Sequence, residues 1–255
     1  MNEAPAKREL DGSVAVITGS AKNLGRGMAL TLALAGAAIV VNGRSSTEAA
    51  QSVADEIIAA GGKAIVHMAD VSQPDGAQGV IDAALDAYGR LDILINNVGT
   101  RIAKPLVEVS FEEWRAVHAG TLDAAFLCTR AAIPHLADHG RGVIINIGGV
   151  SGHAGVAKRS TVAAAKAGIA GLTASLGIEL APQDITVNCV APGHIEHEGE
   201  PGRLSEHFQL KPTPAKHVGQ PSDIADMVRL LCGPSGRYIT GQTIHVNGGW
   251  YVSIA

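Results

Sequence analysis

The sequence predicts an α/β fold: a doubly wound, seven-stranded parallel sheet with helices on both faces, in one domain spanning residues 1–255. Three observations predict it. Short apolar, β-rich runs alternate with helical patterns from one end of the chain to the other. The runs are continuously apolar and lack the polar-out alternation of a half-solvated sheet, so both faces of the sheet are covered. No repeat, low-complexity tract or linker divides the 255 residues, a length at which one α/β unit buries its own core.

The elements follow in order. Residues 13–18 form the first strand, and 24–35 show helical spacing. Residues 38–41 form the second strand, after which Ser45-x-x-Glu48 reads as a capping box opening a helix. The third strand is 64–68 and the fourth 92–95, with a helix carrying Tyr88 between them. Ser110-x-x-Glu113 caps a long helix running to about Asp138. Residues 143–147 form the fifth strand, an Ala-rich helix covers 160–180, and 185–190 and 243–246 complete the sheet. Residues 193–220, rich in Pro, Gly, His and Glu, have no period, and a stretch that long in a compact domain reads as a substrate loop or lid.

Composition excludes several classes of function. The net charge of −4, without basic clusters, speaks against nucleic acid and anionic membranes as partners. The run Met28–Val41 is interrupted by Gly36 and too short to span a bilayer, and the polar N-terminus has no apolar signal core. Cys128, Cys189 and Cys232 are widely spaced with no Cys-x-x-Cys pair, so neither a disulfide framework nor a zinc site is expected. The expected location is the cytoplasm.

The first strand runs into Thr18-Gly19-Ser20-Ala21-Lys22-Asn23-Leu24-Gly25-Arg26-Gly27. A strand, a Gly-rich turn and a helix N-terminus together cradle a pyrophosphate, because glycine permits close backbone approach and the helix amides favour an anion. Asn23 stands where a glycine is usual, and Asn also tolerates positive φ. This block resembles the fingerprint of the short-chain dehydrogenase/reductase family. Four further blocks follow in the family's order: Asp70-Val71, Asn96-Asn97-Val98-Gly99, Pro192-Gly193 and Tyr238 to Gly249. The resemblance implies a Rossmann-type fold, in which Gly19, Ala21 and Lys22 through Gly25 hold the pyrophosphate. Asp70 and Val71 would face the adenine, and Asn97, Gly99 and Lys166 the ribose side. Pro192, Gly193 and Ile195 would lie beside the nicotinamide. The second strand ends on Gly43-Arg44, where an acid would pair with the ribose hydroxyls of NAD. With Lys22 nearby, two cations flank the place of a 2′-phosphate, so NADP(H) is expected in preference to NAD(H).

The resemblance also implies a proton-transfer set of Asn, Ser, Tyr and Lys. Ala164-Ala165-Lys166-Ala167-Gly168 matches the family's helix start and places the lysine at Lys166. The tyrosine position, four residues earlier, is Val162. The serine position in Asn146-Ile147-Gly148-Gly149 is Gly149, and the asparagine position is Thr121. Tyr88, Tyr238 and Tyr251 are the chain's tyrosines, and none can sit one helical turn before Lys166. A general acid contributes roughly 10²–10⁴ in rate, so hydride chemistry here needs a substitute. His153 and His194 stand where one is expected, since imidazole exchanges protons near neutral pH. His197 occupies the usual place of a threonine that binds the carboxamide. Lys158, Arg159, Arg101 and Lys104 form a cationic rim suited to an acidic substrate. A metal site from His194, Glu196 and His197 lacks a fixed partner and is not expected.

Three readings follow. The first is an NADP(H)-dependent oxidoreductase with Lys166, His153 and His194 as catalytic candidates and a small-molecule substrate. The second is an inactive subunit that scaffolds an active paralogue, supported by the joint absence of Tyr, Ser and Asn. The third is a non-redox lyase or isomerase on the same scaffold, although the halohydrin dehalogenases, which resemble this fold, keep a tyrosine. A homotetramer, or a hetero-oligomer with a paralogue, is expected from the resemblance and from the small residues between Ala163 and Gly171.

Overall fold

The structure is a computed structural model and describes residues 8–138, 140–196 and 213–252. Strands β1 (Val14–Ile17), β2 (Ala38–Gly43), β3 (Lys63–Met68), β4 (Ile93–Asn96), β5 (Val143–Ile147), β6 (Thr186–Pro192) and β7 (Thr243–Val246) form one sheet. Its order is β3-β2-β1-β4-β5-β6-β7, with every pair parallel. The chain first winds outward from β1 to β3 and then returns to β4 on β1's other side. That reversal opens a crevice at the carboxyl ends of β1 and β4, the place where such sheets bind ligands.

The side-chain period of two sorts each strand onto two cores. From β1, Ala15 and Ile17 join one core, while Val14 and Val16 join the other. The first core is covered by α1 (Asn23–Leu34), α2 (Thr47–Ala59) and α7 (Pro221–Cys232) through Met28, Leu32, Val53, Ile57, Ile224 and Val228. The second is covered by α3 (Pro74–Tyr88) and α5 (Ala124–Ala137) through Val80, Ile81, Cys128 and Leu136. The sheet is therefore wound on both faces, as the apolar runs predict.

Two local expectations need correction. The Ser45-x-x-Glu48 box does not form: α2 begins at Thr47 with Ser46 at its N-cap, and no side chain caps it. The Ser110/Glu113 box does form, with Glu113 N donating to Ser110 Oγ (3.1 Å) and Ser110 N to Glu113 Oε2 (3.0 Å). The helix it opens is not one long helix, however. It consists of α4 (Phe111–His118), a π-helical turn (Ala119–Asp123) and α5. The loop after β4 presses on that turn: a Cβ at Gly120 would lie 2.2 Å from Thr100 Oγ1, and Thr100 N donates to Thr121 Oγ1 (3.1 Å). Such π turns recur at functional sites.

The Ala-rich helix α6 (Ser160–Glu179) packs against β5 and β6. By length and composition alone it would suit a membrane span, which a search for unbroken apolar runs overlooks because Lys166 interrupts it. Here its buried face, with Thr161, Val162, Ala165, Ile169 and Thr173, belongs to the protein interior. The segment 193–220 has a closed base. Ile195 bridges Gly219, with Glu196 N donating to Gly219 O (2.8 Å) and Gly219 N to His194 O (3.0 Å). Residues 197–212 lie outside the described residues.

Candidate active site

The Gly-rich turn is shaped by close contacts that only glycine allows. Gly19 has φ +62°, and a Cβ at Gly25 would lie 2.4 Å from Gly19 O. The first needs the left-handed region, and the second lets α1 abut the turn. Asn23 has φ 51°, the conformation its place in the glycine pattern requires. Lys22 is the N-cap of α1 and provides no side-chain cap, and no acid occupies the first turn. The amides there are left to face an anion. Leu24 anchors the helix in the core, and Ala21 faces Gly43, whose Cβ would lie 3.7 Å from Ala21 Cβ.

Two asparagines hold this turn. Asn97 Nδ2 donates to Thr18 O (2.9 Å) and Gly19 O (3.1 Å), tying the end of β4 to the turn. Asn42, buried at the end of β2, accepts from Gly19 N (3.1 Å) and donates to His67 O (3.1 Å) and Ala69 O (3.3 Å). The sequence reading missed Asn42. Its signal was a lone amide ending an apolar run, since a buried amide must find partners.

At the outer edge, Arg44 Nη1 lies 3.6 Å from Asp70 Oδ2. Hydrogen bonds from the Ser72 hydroxyl (2.7 Å) and amide (3.0 Å), with Arg44 beside it, hold the Asp70 carboxyl below the usual range. Val71 is buried in the second core, so its side chain fixes the segment that carries Asp70. Lys22 is exposed on the other side of the turn.

On the β5 side, Lys166 Nζ donates to Ile147 O (2.6 Å) and lies 3.3 Å from where a Cβ at Gly99 would stand. Burial, together with Arg101, lowers its pKa to about 8 against the opposing pull of Cys189. Gly149 is extended, and a Cβ there would lie 3.7 Å from Ser151 Oγ and 3.9 Å from Lys166 Cγ, in ordinary contact. Val162 is buried with Val117, Ala165 and Ile102 in a small apolar cluster. Thr121 is buried and engaged by Thr100 N. Tyr88 packs on the second core and Tyr238 is fully exposed.

The two candidate histidines have different surroundings. The turn Val150–Gly152 packs on α6, where a Cβ at Gly152 would lie 3.0 Å from Lys166 Cβ, and His153 follows at once. Its ring stands edge-on to His245 (4.6 Å between centroids) and 5.8 Å from Tyr251. Burial pushes its pKa down. His194 instead lines a cavity of about 450 Å³ with Ile195, Met227, Leu230, Val246 and Asn247, under α7. Gly193, which precedes it, is wedged against Asn247: its N donates to Val246 O (3.0 Å), and a Cβ would lie 2.7 Å from Asn247 Cα. Pro192 ends β6 opposite Val246. His153 thus packs on His245 and Tyr251, one residue beyond a turn that meets α6 at Lys166, and His194 lies toward α7.

The cationic rim narrows. Lys104 Nζ is paired with Glu113 Oε1. Lys158 adopts φ 62° and its carbonyl accepts from Lys104 N (2.8 Å). Arg159 is the N-cap of α6, and burial together with Arg159 pushes the Arg101 guanidinium down. Arg101 and Arg159 therefore share a crowded site with Lys166. His197 lies outside the described residues, and Glu196 is engaged by Gln220 Nε2 (2.6 Å). Among the described residues no three His, Cys, Asp or Glu side chains cluster to hold a metal, and all three cysteines are free and buried.

Comparison with known proteins identifies the fold and the family. A family model described as enoyl-(acyl carrier protein) reductase matches residues 19–251. A 3-oxoacyl-[acyl-carrier-protein] reductase of Synechocystis sp. is 38% identical over 245 residues, covering 94% of this chain and 97% of the relative. The crystal structure of a dehydrogenase/reductase from Sinorhizobium meliloti superposes with a TM-score of 0.91 at 34% identity, over 96% of this chain and 98% of that one. A short chain dehydrogenase from Burkholderia cenocepacia, solved in complex with NADP, gives a TM-score of 0.89 at 31% identity, over 95% and 99%. With the strand order, the glycine turn and Lys166 in place, the chain belongs to the short-chain dehydrogenase/reductase family.

Proposed function

We propose that the chain is an NADP(H)-dependent carbonyl oxidoreductase with a non-standard site, in which His153 replaces the missing tyrosine as proton donor and acceptor. The observation that carries this reading is the position of His153, directly after a turn that packs on Lys166. The glycine cradle and the uncapped start of α1 suit a pyrophosphate. Lys22 and Arg44 would take a 2′-phosphate, Asp70 and Val71 the adenine, and Asn97, Gly99 and Lys166 the ribose. Pro192, Gly193 and Ile195 would border the nicotinamide, which supplies a hydride when bound. Arg101 and Arg159 favour a substrate with an anionic group, and the Synechocystis relative points to the 3-oxoacyl thioester class. Residues 193–220 act as the substrate loop. The exposed stripe of α6, Ala164, Ala167, Gly171, Ala174 and Ile178, would meet a second subunit in a homotetramer or a hetero-oligomer.

The pKa of His153 sets a direction. Burial lowers it from 6.5, so the ring is mostly neutral at pH 7. It is then ready as a base for alcohol oxidation, and reductive turnover rises as pH falls. The test is a fluorescence titration with NADPH and NADH, followed by NADPH oxidation with acetoacetyl-CoA. Arg44→Ala should weaken NADPH roughly tenfold and leave NADH unchanged, as loss of a charged hydrogen bond does. His153→Ala should lose about 10²–10⁴ in turnover at unchanged NADPH affinity. Binding of neither nucleotide would overturn the reading.

A second reading is favoured by Val162, which closes the tyrosine niche with an apolar cluster. The chain would then be an inactive subunit beside an active paralogue. It predicts indifference to His153→Ala and co-purification with a tyrosine-bearing homologue.

A further inference from the structure

The proposed proton donor does not stand alone. Along β7, Ile244 and Val246 pack on the core that carries α1 and α7, so His245 between them faces the opposite side, toward α6. There its ring meets His153, which arrives from the turn after β5. Tyr251 covers both rings, 4.8 Å from His245 and 5.8 Å from His153. Its own backbone is held by Asn247 Nδ2, which donates to Tyr251 O (3.0 Å). His153 Nε2 and His245 Nδ1 are both buried, with no hydrogen-bond partner among the described residues. Buried polar atoms without partners are rare, and two in one ring cluster mark a place where a proton, a water or a substrate oxygen is exchanged.

We infer that His153, His245 and Tyr251 form one titrating unit that takes up its protons one at a time at the edge of the site, with His245 as the residue that positions His153 and sets when it is charged. The inference rests on the reading of His153 as proton donor. Two imidazolium rings this close, shielded by a tyrosine, repel each other, so the second proton is bound only at lower pH. Burial lowers both rings, and His153 lowers His245 further. The ring against both histidines is Tyr251 from the C-terminal segment, while on the elements next to them Lys166 of α6 meets the Gly152 turn and Cys189 of β6 pairs in register with Thr243. In the reductive direction, a nicotinamide held by Lys166, Pro192 and Gly193 would supply the hydride that the carbonyl carbon takes up. His153 gives a ring proton to the oxygen as the C–O double bond opens, and becomes neutral. A proton taken from solvent then recharges His153, and the edge-on His245 ring sets the pH at which it does so, so the pair is restored with no change in its electrons.

The test is an NMR titration of the histidine ring resonances in the full unliganded chain. Wild-type His153 should show a second inflection at low pH, and His245→Gln should remove it. His153→Gln should raise the His245 midpoint by about one pH unit, the coupling that defines interacting sites. Rings that titrate in single steps, each unmoved by substitution of the other, would overturn the inference, and the wild-type curves decide it even where a variant does not fold. With acetoacetyl-CoA and NADPH, His245→Gln should shift the pH profile of turnover, while His153→Gln abolishes turnover. Coupled rings without NADPH oxidation would refute the oxidoreductase reading and leave the unit standing. Independent rings with turnover lost in His153→Gln would do the reverse.

Discussion

The half of the crevice built by β1, β2 and β4 differs in kind from the half built by β5, β6 and α6. In the first half, Gly19 and Gly25 are fixed by backbone contacts, and Asn42 and Asn97 are tied to three strands and a turn. A change there disturbs the sheet itself. In the second half, Gly149 leaves ordinary contact space for a side chain and Val162 sits in a small apolar cluster, so side chains there can change without disturbing the sheet or α6. Phosphate recognition by backbone is inseparable from the fold, whereas side-chain chemistry is mounted on it and can be exchanged.

Four substitutions, the last also combined with a fifth, probe that difference, from the largest effect to the smallest. Gly25→Val drives a side chain into Gly19 O and should cost more than about 3 kcal/mol in urea denaturation, with nucleotide binding lost. A milder cost would show that the turn can yield. Asn42→Ala leaves Gly19 N and two carbonyls without their amide partner and should cost about 2–3 kcal/mol. Lys166→Met tests the second half through pH. Folded Lys166 gives up its proton near pH 8 and the unfolded lysine near 10.5, so the unfolded state binds more protons between these values. Wild-type stability should therefore rise with pH across that window relative to Lys166→Met, by of order 1–3 kcal/mol. A constant difference between the two proteins would place the ammonium in solvent. Gly149→Ser enters ordinary contact distances at an extended backbone and should change stability by less than about 0.5 kcal/mol. Combined with Val162→Tyr, it should raise NADPH-dependent turnover at least tenfold if the site lacks only those groups.

The legible parts of the site were those written in local backbone chemistry. Asn23 takes the positive φ that its place among the glycines implies, and the Ser110/Glu113 box forms as spaced. The Ser45/Glu48 box fails because the helix enters one residue later than it requires, at Thr47 with Ser46 as the N-cap. Tyr251 illustrates the other limit. It is too far along the chain to replace a tyrosine before Lys166, yet the fold brings it to His153.

By itself the sequence determined the parallel sheet, the glycine cradle, Lys166 and the absence of a tyrosine beside it, because periodicity, glycine and short spacings act over one or two turns of chain. Only the tertiary structure decided that His194 lines the cavity under α7 and that His245 and Tyr251 enclose His153. Those contacts join β5, β7 and the C-terminal segment, which meet only when the sheet is assembled, and no local pattern encodes such a meeting.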